Sequence, residues 1–261
     1  MSRRTRPWPA GLPCWIDLAS PDPAAARDFY AAVLGWEFRL RGDGPDAYAH
    51  VVVDGEVAAG LGPVNEAQAG GWTVYLATDD AEATARAAVA AGGRVVHGPE
   101  PIGPQGQVLF LADPSGAVTG AWQAGALIGA SVVNEPGALV WEDLRSADPD
   151  ASRAFLRAVF GLEADTFDGA PGGYTTLRLA DEQVPCGGVG PLFGAPEPSW
   201  LVYFLVLDTD AAAAAATGAG GSVASPPEDT PFGRMAVLTD PHGARFAVMR
   251  APDGAPQPDR S

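Results

Sequence analysis

Two short motifs in the chain pair an indole ring with a carboxylate: Trp15 with Asp17, and Trp141 with Asp143. Residues two apart on a β-strand point to the same face, so each pair would present both groups to one ligand. An indole stacks on flat organic molecules, and a carboxylate accepts charge-assisted hydrogen bonds from a cation or a hydroxyl. The pairs therefore predict binding of a flat organic molecule. The alternative is structural, with tryptophans that fill core volume and aspartates that accept backbone hydrogen bonds at a strand edge.

Acid–base chemistry has few other candidates in this sequence. Asp17 and Asp143 could act as acid or base, and so could His50, which is predicted to lie in a strand of a curved sheet. Arg234 follows a glycine in a loop before a strand, where its polar tip could reach a ligand, with solvation as the alternative. No Ser-His-Asp order, phosphate-binding glycine loop or cysteine nucleophile is evident.

Both Trp-Asp motifs belong to a longer repeat, because residues 14–23 return as residues 140–149 at an offset of 126 residues. Later landmarks recur in the same order, including a Gly-x-Gly-Pro segment and an Asp-Pro-x-Gly-Ala segment. Repetition over so long an offset indicates a duplicated domain. We predict a first domain over residues 11–124, a linker over 125–135, a second domain over 136–250 and a mobile tail over 251–261.

Helix and strand patterns divide each domain into two βαβββ modules. The strand that carries Trp15 is followed by Asp22 as a helix cap, by Pro23 at the first helical position and by an amphipathic segment that ends at Gly35. The second domain repeats this order. The predicted fold class is therefore α+β, with two tandem domains and four modules.

Composition excludes several classes of protein. The chain has 32 acidic and 16 basic residues and a formal net charge of −16, which disfavours nucleic-acid binding. All the basic residues are arginine, so a Schiff-base lysine and the usual lysine of a phosphate-binding loop are both missing. No apolar run reaches the roughly 18 residues of a membrane span, and the sequence shows no secretion signal. We expect a cytoplasmic protein that binds neither nucleic acid nor membranes.

Several of these features together resemble the glyoxalase, bleomycin-resistance and extradiol-dioxygenase superfamily, also called vicinal oxygen chelate proteins. They are the strand ending in Asp-Pro, the Phe-Tyr helix that closes on Leu-Gly-Trp at residues 34–36, and the late Asp-Pro-x-Gly turn at residues 113–116. The resemblance covers residues 11–124 and 136–250 and implies tandem glyoxalase-like domains with curved mixed sheets. It does not imply one activity, because this fold carries isomerases, lyases, dioxygenases and drug-binding proteins.

The family's metal ligands are not matched in this sequence. Counting from the helix-capping and late-turn aspartates, the resemblance assigns histidine, glutamine or glutamate to positions that carry none of them. These positions are Trp15, Thr73, Gly120, Trp141, Leu201 and Ala247. We therefore expect no metal and no other cofactor. The residues expected to bind an organic ligand instead are Trp15, Asp17, Thr73, Trp122, Trp141, Asp143, Leu201 and Arg234.

The leading hypothesis is a metal-free, two-domain protein that binds a small flat or aromatic molecule, as bleomycin-resistance relatives bind drugs. The first alternative is a metal-independent enzyme of natural-product or small-molecule metabolism, of the kind loosely labelled a hydroxylase, which uses acid–base catalysis. The second is a metal-dependent lyase or dioxygenase. We expect a monomer whose fused domains imitate a homodimer, with Trp15 facing the second half of domain two and Trp141 facing that of domain one; further dimerisation stays open.

Overall fold

A computed structural model describes residues 2–66 and 68–252 of the chain. The elements up to the end of the linker are β1 (Ser2–Arg3), β2 (Pro13–Ser20), α1 (Pro23–Leu34), β3 (Glu37–Arg41), β4 (Tyr48–Val53), β5 (Glu56–Pro63), β6 (Gly71–Ala77), α2 (Ala81–Ala90), β7 (Arg94–Pro101), β8 (Gly106–Ala112), β9 (Val118–Ala124) and β10 (Val132–Val133). The later elements are β11 (Leu139–Ser146), α3 (Pro149–Phe160), β12 (Leu162–Asp165), β13 (Thr175–Leu179), β14 (Gly187–Pro191), β15 (Ser199–Leu205), α4 (Thr209–Gly218), β16 (Ser222–Thr230), β17 (Gly233–Thr239) and β18 (Arg245–Arg250). This order confirms the predicted α+β class with two βαβββ modules in each domain.

Each domain forms one eight-stranded mixed sheet in the described part of the chain. The strand order is β3-β4-β5-β2-β6-β9-β8-β7 in the first domain and β12-β13-β14-β11-β15-β18-β17-β16 in the second. The two modules of a domain join through their first strands, which pair antiparallel as β2 with β6 and as β11 with β15. Trp15 therefore lies opposite Tyr75, and Trp141 lies opposite Tyr203.

This pairing of modules corrects one expectation. Trp15 does not face the second half of domain two but the second half of its own domain, because β2 and β6 belong to one sheet. Trp141 likewise faces the second half of domain two, not that of domain one. Duplication alone does not determine which modules share a sheet, since the same strand edges can pair within a domain or between domains.

The first helix of each domain begins and ends as its sequence predicts. The Asp22 side chain accepts a hydrogen bond from the backbone N–H of Ala25 at 2.9 Å and so caps α1. Gly35 ends α1 with a φ of 71°, a left-handed conformation that favours glycine. Asp148 and Gly161, with a φ of 70°, repeat this arrangement around α3. Each helix is thereby fixed in length directly after the strand that carries the Trp-Asp motif.

The two domains contact each other through reciprocal helix pairs. Helix α1 packs against α4, and α2 packs against α3, as in an isologous dimer interface. The late-turn aspartates strengthen these contacts: Asp240 accepts a hydrogen bond from the Tyr30 hydroxyl at 3.4 Å, and Asp113 accepts one from the Ser152 hydroxyl. The Asp-Pro-x-Gly turns therefore have a structural role at the interface between the domains.

An aromatic cluster fills the space between the two sheets. Its rings pack at centroid distances of 5.0 to 6.3 Å, and the Trp36 and Phe204 rings from the two domains lie 5.1 Å apart. Such pairs add about 0.5–1.5 kcal/mol each beyond the burial of their area. The members that meet across the domain boundary are Phe29, Tyr30, Trp36, Trp72, Phe204 and Phe246. The domains therefore share one continuous core.

The linker packs against the N-terminal segment of the chain. Its strand β10 pairs with β1, and the Trp8 indole donates a hydrogen bond to the backbone oxygen of Ala130 at 3.0 Å. Residues 253–261 of the predicted mobile tail lie outside the described residues. Over residues 2–66 and 68–252, the helices are all too short or too polar to cross a lipid bilayer.

Candidate functional site

Each sheet bounds a cavity on its concave face. Cavity 1 has a volume of about 690 Å³ and contains Trp15 and Asp17 in its wall. Cavity 2 has a volume of about 610 Å³ and contains Trp141 and Asp143. All the residues that line cavity 1 belong to the first domain or the linker, and all those that line cavity 2 belong to residues 140–252. The two Trp-Asp motifs therefore occupy equivalent places in two separate sites.

A carboxylate at the centre of cavity 1 is held by three aromatic donors. Asp17 Oδ1 accepts hydrogen bonds from the Trp15 indole at 2.8 Å and from the Tyr48 hydroxyl at 2.6 Å. Asp17 Oδ2 accepts one from the Tyr75 hydroxyl at 3.1 Å. Gln68 Nε2 lies behind this group, donating to the Tyr75 hydroxyl at 3.3 Å. These five side chains lie on β4, β2 and β6 and on the loop after β5; β2 and β6 are neighbours in the sheet, and β5 lies between β4 and β2.

The second domain repeats this cluster and adds a cation. Asp143 Oδ1 accepts hydrogen bonds from the Trp141 indole at 2.9 Å and from the Tyr174 hydroxyl at 2.7 Å. Asp143 Oδ2 accepts one from the Tyr203 hydroxyl at 2.7 Å and one from Arg145 at 2.9 Å. The guanidinium also donates to the Tyr203 hydroxyl at 2.7 Å. Arg145 thus neutralises the Asp143 carboxylate within the protein.

Glycines on the neighbouring strands make room for both clusters. A Cβ on Gly60 would lie 1.8 Å from Asp17 Oδ1 and 1.9 Å from the Tyr48 hydroxyl. A Cβ on Gly188 would lie 2.1 Å from the Tyr174 hydroxyl. Any larger residue would displace the carboxylate or the tyrosine. The Gly-x-Gly-Pro segments found in both copies of the sequence therefore serve the hydrogen-bonded clusters.

Burial affects the protonation of the groups in cavity 1. Burial raises the pKa of the Asp17 carboxyl, and the hydrogen bonds from Tyr48, Trp15 and Tyr75 oppose that rise. The same burial, together with the negative charge of Asp17, holds the pKa of Tyr48 and of Tyr75 well above the usual range. The tyrosines therefore remain hydrogen-bond donors, and the protonation of the cavity centre depends on Asp17.

The same physical causes act on the tyrosines of cavity 2. Burial and the neighbouring Asp143 carboxylate raise the pKa of Tyr174 and of Tyr203. The Arg145 guanidinium lowers the pKa of Tyr203 in part, without reversing the rise. Both hydroxyls therefore donate to Asp143 throughout the neutral pH range.

The two cavities differ in the residues around the shared cluster. His50 on β4 and Arg41 on β3 line cavity 1, and Thr176 on β13 and Phe167 after β12 take the corresponding places in cavity 2. Cavity 1 combines apolar side chains, among them Ile102, Val108 and Phe110, with polar or acidic ones, namely Asn65, Glu66, Gln68, Glu100 and Gln105. Cavity 2 is lined mainly by rings and apolar groups, including Pro171, Phe193, Pro231, Phe232, Met235 and Met249.

His50 accepts hydrogen bonds from Arg41 in this arrangement. Its Nδ1 accepts hydrogen bonds from Arg41 Nε at 3.3 Å and from the second guanidinium nitrogen at 3.1 Å. Because arginine remains charged, Nδ1 must be unprotonated, and the neutral ring carries its proton on Nε2. Burial lowers the pKa of His50 to about 4, and the Arg41 and Arg39 charges act in the same direction. His50 therefore lies in cavity 1 as a weak base with one nitrogen already occupied.

The other expected ligand-binding residues are spread over different environments. Trp122 lines cavity 1 and donates a hydrogen bond to the backbone oxygen of Leu127 at 2.8 Å. Thr73 is buried and accepts a hydrogen bond from Gln68 at 3.2 Å, and Leu201 lines a smaller pocket beside cavity 2.

Arg234 lies away from both cavities. Its guanidinium pairs with Asp210 at 2.6 Å and with Asp229 at 3.2 Å, and it is absent from the described walls of cavities 1 and 2. The expectation that its tip reaches a ligand overlooked the acidic neighbours on α4 and β16, which already satisfy it. The tyrosines of the clusters were missed, although Tyr48 and Tyr174 repeat at the same offset of 126 residues as the Trp-Asp motifs.

The residues at the family's metal positions do not fit a metal ion. Gly120 and Ala247 offer no side-chain donor, and a Cβ on Gly120 would lie 2.2 Å from the Tyr75 ring, which fills this space. The indole nitrogen of Trp15 carries a hydrogen that it donates to Asp17. Over the described residues, no three His, Cys, Asp or Glu side chains come together in a group that could hold a metal.

Comparison with known protein families gives one match in each domain. Residues 15–119 match a glyoxalase-like domain, and residues 138–248 match the glyoxalase/bleomycin resistance protein/dioxygenase superfamily. Each match therefore covers most of one sheet and the strands that carry one carboxylate cluster.

Full-length relatives and a solved structure agree with these matches. A Mycobacterium tuberculosis protein provisionally named glyoxylase CFP32 is 40% identical over 249 residues, which cover 92% of this chain and 95% of the relative. The anthracycline biosynthesis protein DnrV of Streptomyces peucetius is 38% identical over 265 residues, which cover 94% of this chain and 95% of the relative. The Mn(II)-bound glyoxalase from Novosphingobium aromaticivorans has a TM-score of 0.66 at 18% identity, covering 96% of this chain and 83% of that chain. This last likeness shows the fold alone.

The different partners of the two carboxylates predict different effects on stability. Asp143→Asn leaves the Arg145 charge unpaired where the side chain is only 13% exposed, so we expect a loss of about 3–5 kcal/mol. Asp17→Asn removes a carboxylate that no cation contacts in the described structure, so we expect a change of about 1 kcal/mol or less. Urea unfolding of the two variants measures both values, and a loss in Asp17→Asn as large as in Asp143→Asn would contradict the assignment.

The environment of His50 predicts its titration. We expect an NMR titration midpoint near the pKa of about 4, so that the ring is neutral above about pH 5. Because the unfolded chain takes up this proton near the ordinary pKa of 6.5, His50 should lower stability as the pH falls from 6.5 towards 4. Arg41→Met should raise the midpoint without restoring it fully, since burial remains, and Arg157→Met on α3 is the control. A wild-type midpoint near 6.5 would refute this.

Proposed function

The chain belongs to the glyoxalase/bleomycin resistance protein/dioxygenase superfamily, and we propose that within it the protein binds small, flat organic molecules in two metal-free cavities. The carboxylate clusters are the observation that carries this proposal. Trp15 and Trp141 stand at positions that the resemblance assigns to metal ligands, and the clusters around them support hydrogen bonding and stacking in place of metal binding.

The size and chemistry of the cavities support an organic ligand. Volumes of about 690 and 610 Å³ fall in the range of roughly 300–1,000 Å³ that small-molecule sites occupy. Trp15, Phe110 and Trp122 supply flat surfaces in cavity 1. In cavity 2, the Phe167 ring lies 5.7 Å from the Phe232 ring and 6.1 Å from the ring of Tyr174, which belongs to the cluster.

One relative supports a fused-ring ligand. The Streptomyces peucetius protein carries the name of anthracycline biosynthesis, and anthracyclines are flat, fused-ring aromatic compounds. The relative and this chain are aligned over nearly their whole lengths, so both domains are shared. We therefore propose that the ligand class is a polycyclic aromatic molecule, bound for its processing, transport or sequestration.

Acid–base catalysis without a metal is the second candidate function. Asp17 favours it, because a carboxyl whose pKa is raised by burial inside a cavity is the kind of group that enzymes use as an acid or base. His50 is a poorer candidate, because Arg41 occupies one of its nitrogens. Turnover that survives exhaustive chelation and is lost in Asp17→Asn would support this candidate over binding alone. A metal-dependent lyase or dioxygenase has less support, because the donor set does not fit a metal.

Calorimetric titration with the neutral probe 1-naphthalenemethanol tests the proposed function. We expect binding at two sites per chain, unchanged after dialysis against EDTA. Trp15→Phe and Trp141→Phe should each weaken one site by about tenfold, because each removes stacking area and a donor to the cluster.

Trp8→Phe is the matched control, because Trp8 packs behind cavity 1 and does not line it. Urea unfolding of each variant separates lost binding from lost folding. The proposal fails if the probe does not bind, if binding requires added metal, or if the Trp15 and Trp141 variants bind as the wild type does.

A further inference from the structure

We infer that the two cavities select different ligands: cavity 1 takes an aromatic molecule with a pendant ammonium group, and cavity 2 takes an uncharged one. This inference rests on the proposed function and deepens it. It starts from the one difference between the two carboxylate clusters, the presence of Arg145 in the second.

The carboxylate of cavity 1 has an acceptor position to spare. A carboxylate offers about four acceptor positions, two on each oxygen. Asp143 uses all of them, with two donors on Oδ1 and two on Oδ2. Asp17 has two donors on Oδ1 but only the Tyr75 hydroxyl on Oδ2 among the described residues. The missing donor is the one that corresponds to Arg145.

The backbone explains why the first domain lacks this donor. Arg145 follows Asp143 by two residues on β11 and lies beside Gly190, and Ala19 holds the equivalent place on β2 beside Gly62. Ala19 is too short to reach the carboxylate and carries no charge. The Tyr75 hydroxyl accepts its second hydrogen bond from neutral Gln68, where Tyr203 accepts one from Arg145. The negative charge of Asp17 is therefore uncompensated inside the protein.

The remaining charges of the two cavities differ in the same sense. Cavity 1 has three acidic side chains in its described wall, Asp17, Glu66 and Glu100, against the guanidinium of Arg41 and the His97 ring, which pairs with Glu100 and leaves Asp17 and Glu66 without it. Arg41 is directed to His50 Nδ1, and no hydrogen bond or ion pair joins it to Asp17 in the described structure. In the described wall of cavity 2, Asp143 and Arg145 are the charged groups, and they cancel. Cavity 1 therefore attracts a cation.

Arg145 is held so that it also excludes a second cation from cavity 2. Its guanidinium lies 4.9 Å from the centre of the Phe193 ring and bonds both Asp143 and Tyr203. These contacts fix the charge between cavity 2 and the smaller pocket of about 240 Å³ beside it. A ligand ammonium in cavity 2 would meet a fixed positive charge with no acceptor left. Arg145 thus takes the place that the ligand's cation takes in cavity 1.

Two probes of the same shape test this selection by calorimetry at about pH 7. They are 1-naphthylmethylamine, which is a cation at this pH, and the neutral 1-naphthalenemethanol. In the wild type we expect two sites for the alcohol but one tight site for the amine, bound about tenfold more tightly there than the alcohol, because its hydrogen bond is charge-assisted.

Removing the guanidinium from the second cluster, or adding one to the first, should change which cavity binds the amine tightly. Arg145→Met opens the fourth acceptor position of Asp143 and should create a second tight site for the amine. Ala19→Arg fills the fourth position of Asp17 and should abolish the first. Ala19→Met controls for the bulk of the new side chain. Arg157→Met and Ala90→Arg control for net charge, because they change it by the same amounts at exposed positions that line neither cavity.

The outcomes separate this inference from the proposed function. The inference is overturned, while the proposed function stands, if the wild type binds the amine and the alcohol with equal affinity. It is also overturned if the preference for the amine persists in Ala19→Arg and no second amine site appears in Arg145→Met. The same charge effect in the Arg157→Met and Ala90→Arg controls would also overturn it, because the protein's overall charge would then explain the preference. Failure of both probes to bind any variant would overturn both.

Discussion

A carboxylate at the centre of each sheet, buried at Asp143 and half-buried at Asp17, is the constraint on which the rest of the site depends. Removing such a group from water costs several kcal/mol unless donors surround it. The Trp15 indole and two tyrosine hydroxyls supply those donors around Asp17, and their rings fill the middle of the concave face. The adjoining strands must then carry glycine, as at Gly60. We propose that this cluster takes the place of a metal centre in each sheet.

The two domains solve the same constraint in different ways. In the second domain, Arg145 completes the hydrogen bonds of Asp143 and cancels its charge, and the rest of cavity 2 is apolar. In the first domain, no cation contacts Asp17 in the described structure, and polar and acidic side chains share the cavity wall with apolar ones. Duplication thus provided one scaffold twice, and the Arg145 side chain separates a carboxylate with all four acceptor positions used from one with a position open.

Much of this arrangement is predictable from local sequence. The capped helices that follow Asp22 and Asp148 and the side-by-side placement of tryptophan and aspartate depend on neighbours a few residues apart, and the repeat is visible as direct similarity between the two halves. The tyrosines of the clusters come from strands 30 to 60 residues away, so their role depends on sheet register, which the sequence pattern does not specify. For the same reason, the sequence did not reveal that Trp15 and Trp141 each face the second module of their own domain. Arg234 was misplaced because its acidic partners lie on other elements.

The metal content of the purified protein tests the central claim most directly. The chain would be expressed with Mn, Fe, Ni and Zn in the medium, purified without chelators and analysed by plasma mass spectrometry after gel filtration. If the carboxylate clusters replace the metal centres, each of these metals should be far below one ion per chain. A metal retained at about one ion per domain, and lost from the Asp17→Asn and Asp143→Asn variants, would show that the clusters bind metal and would contradict the account.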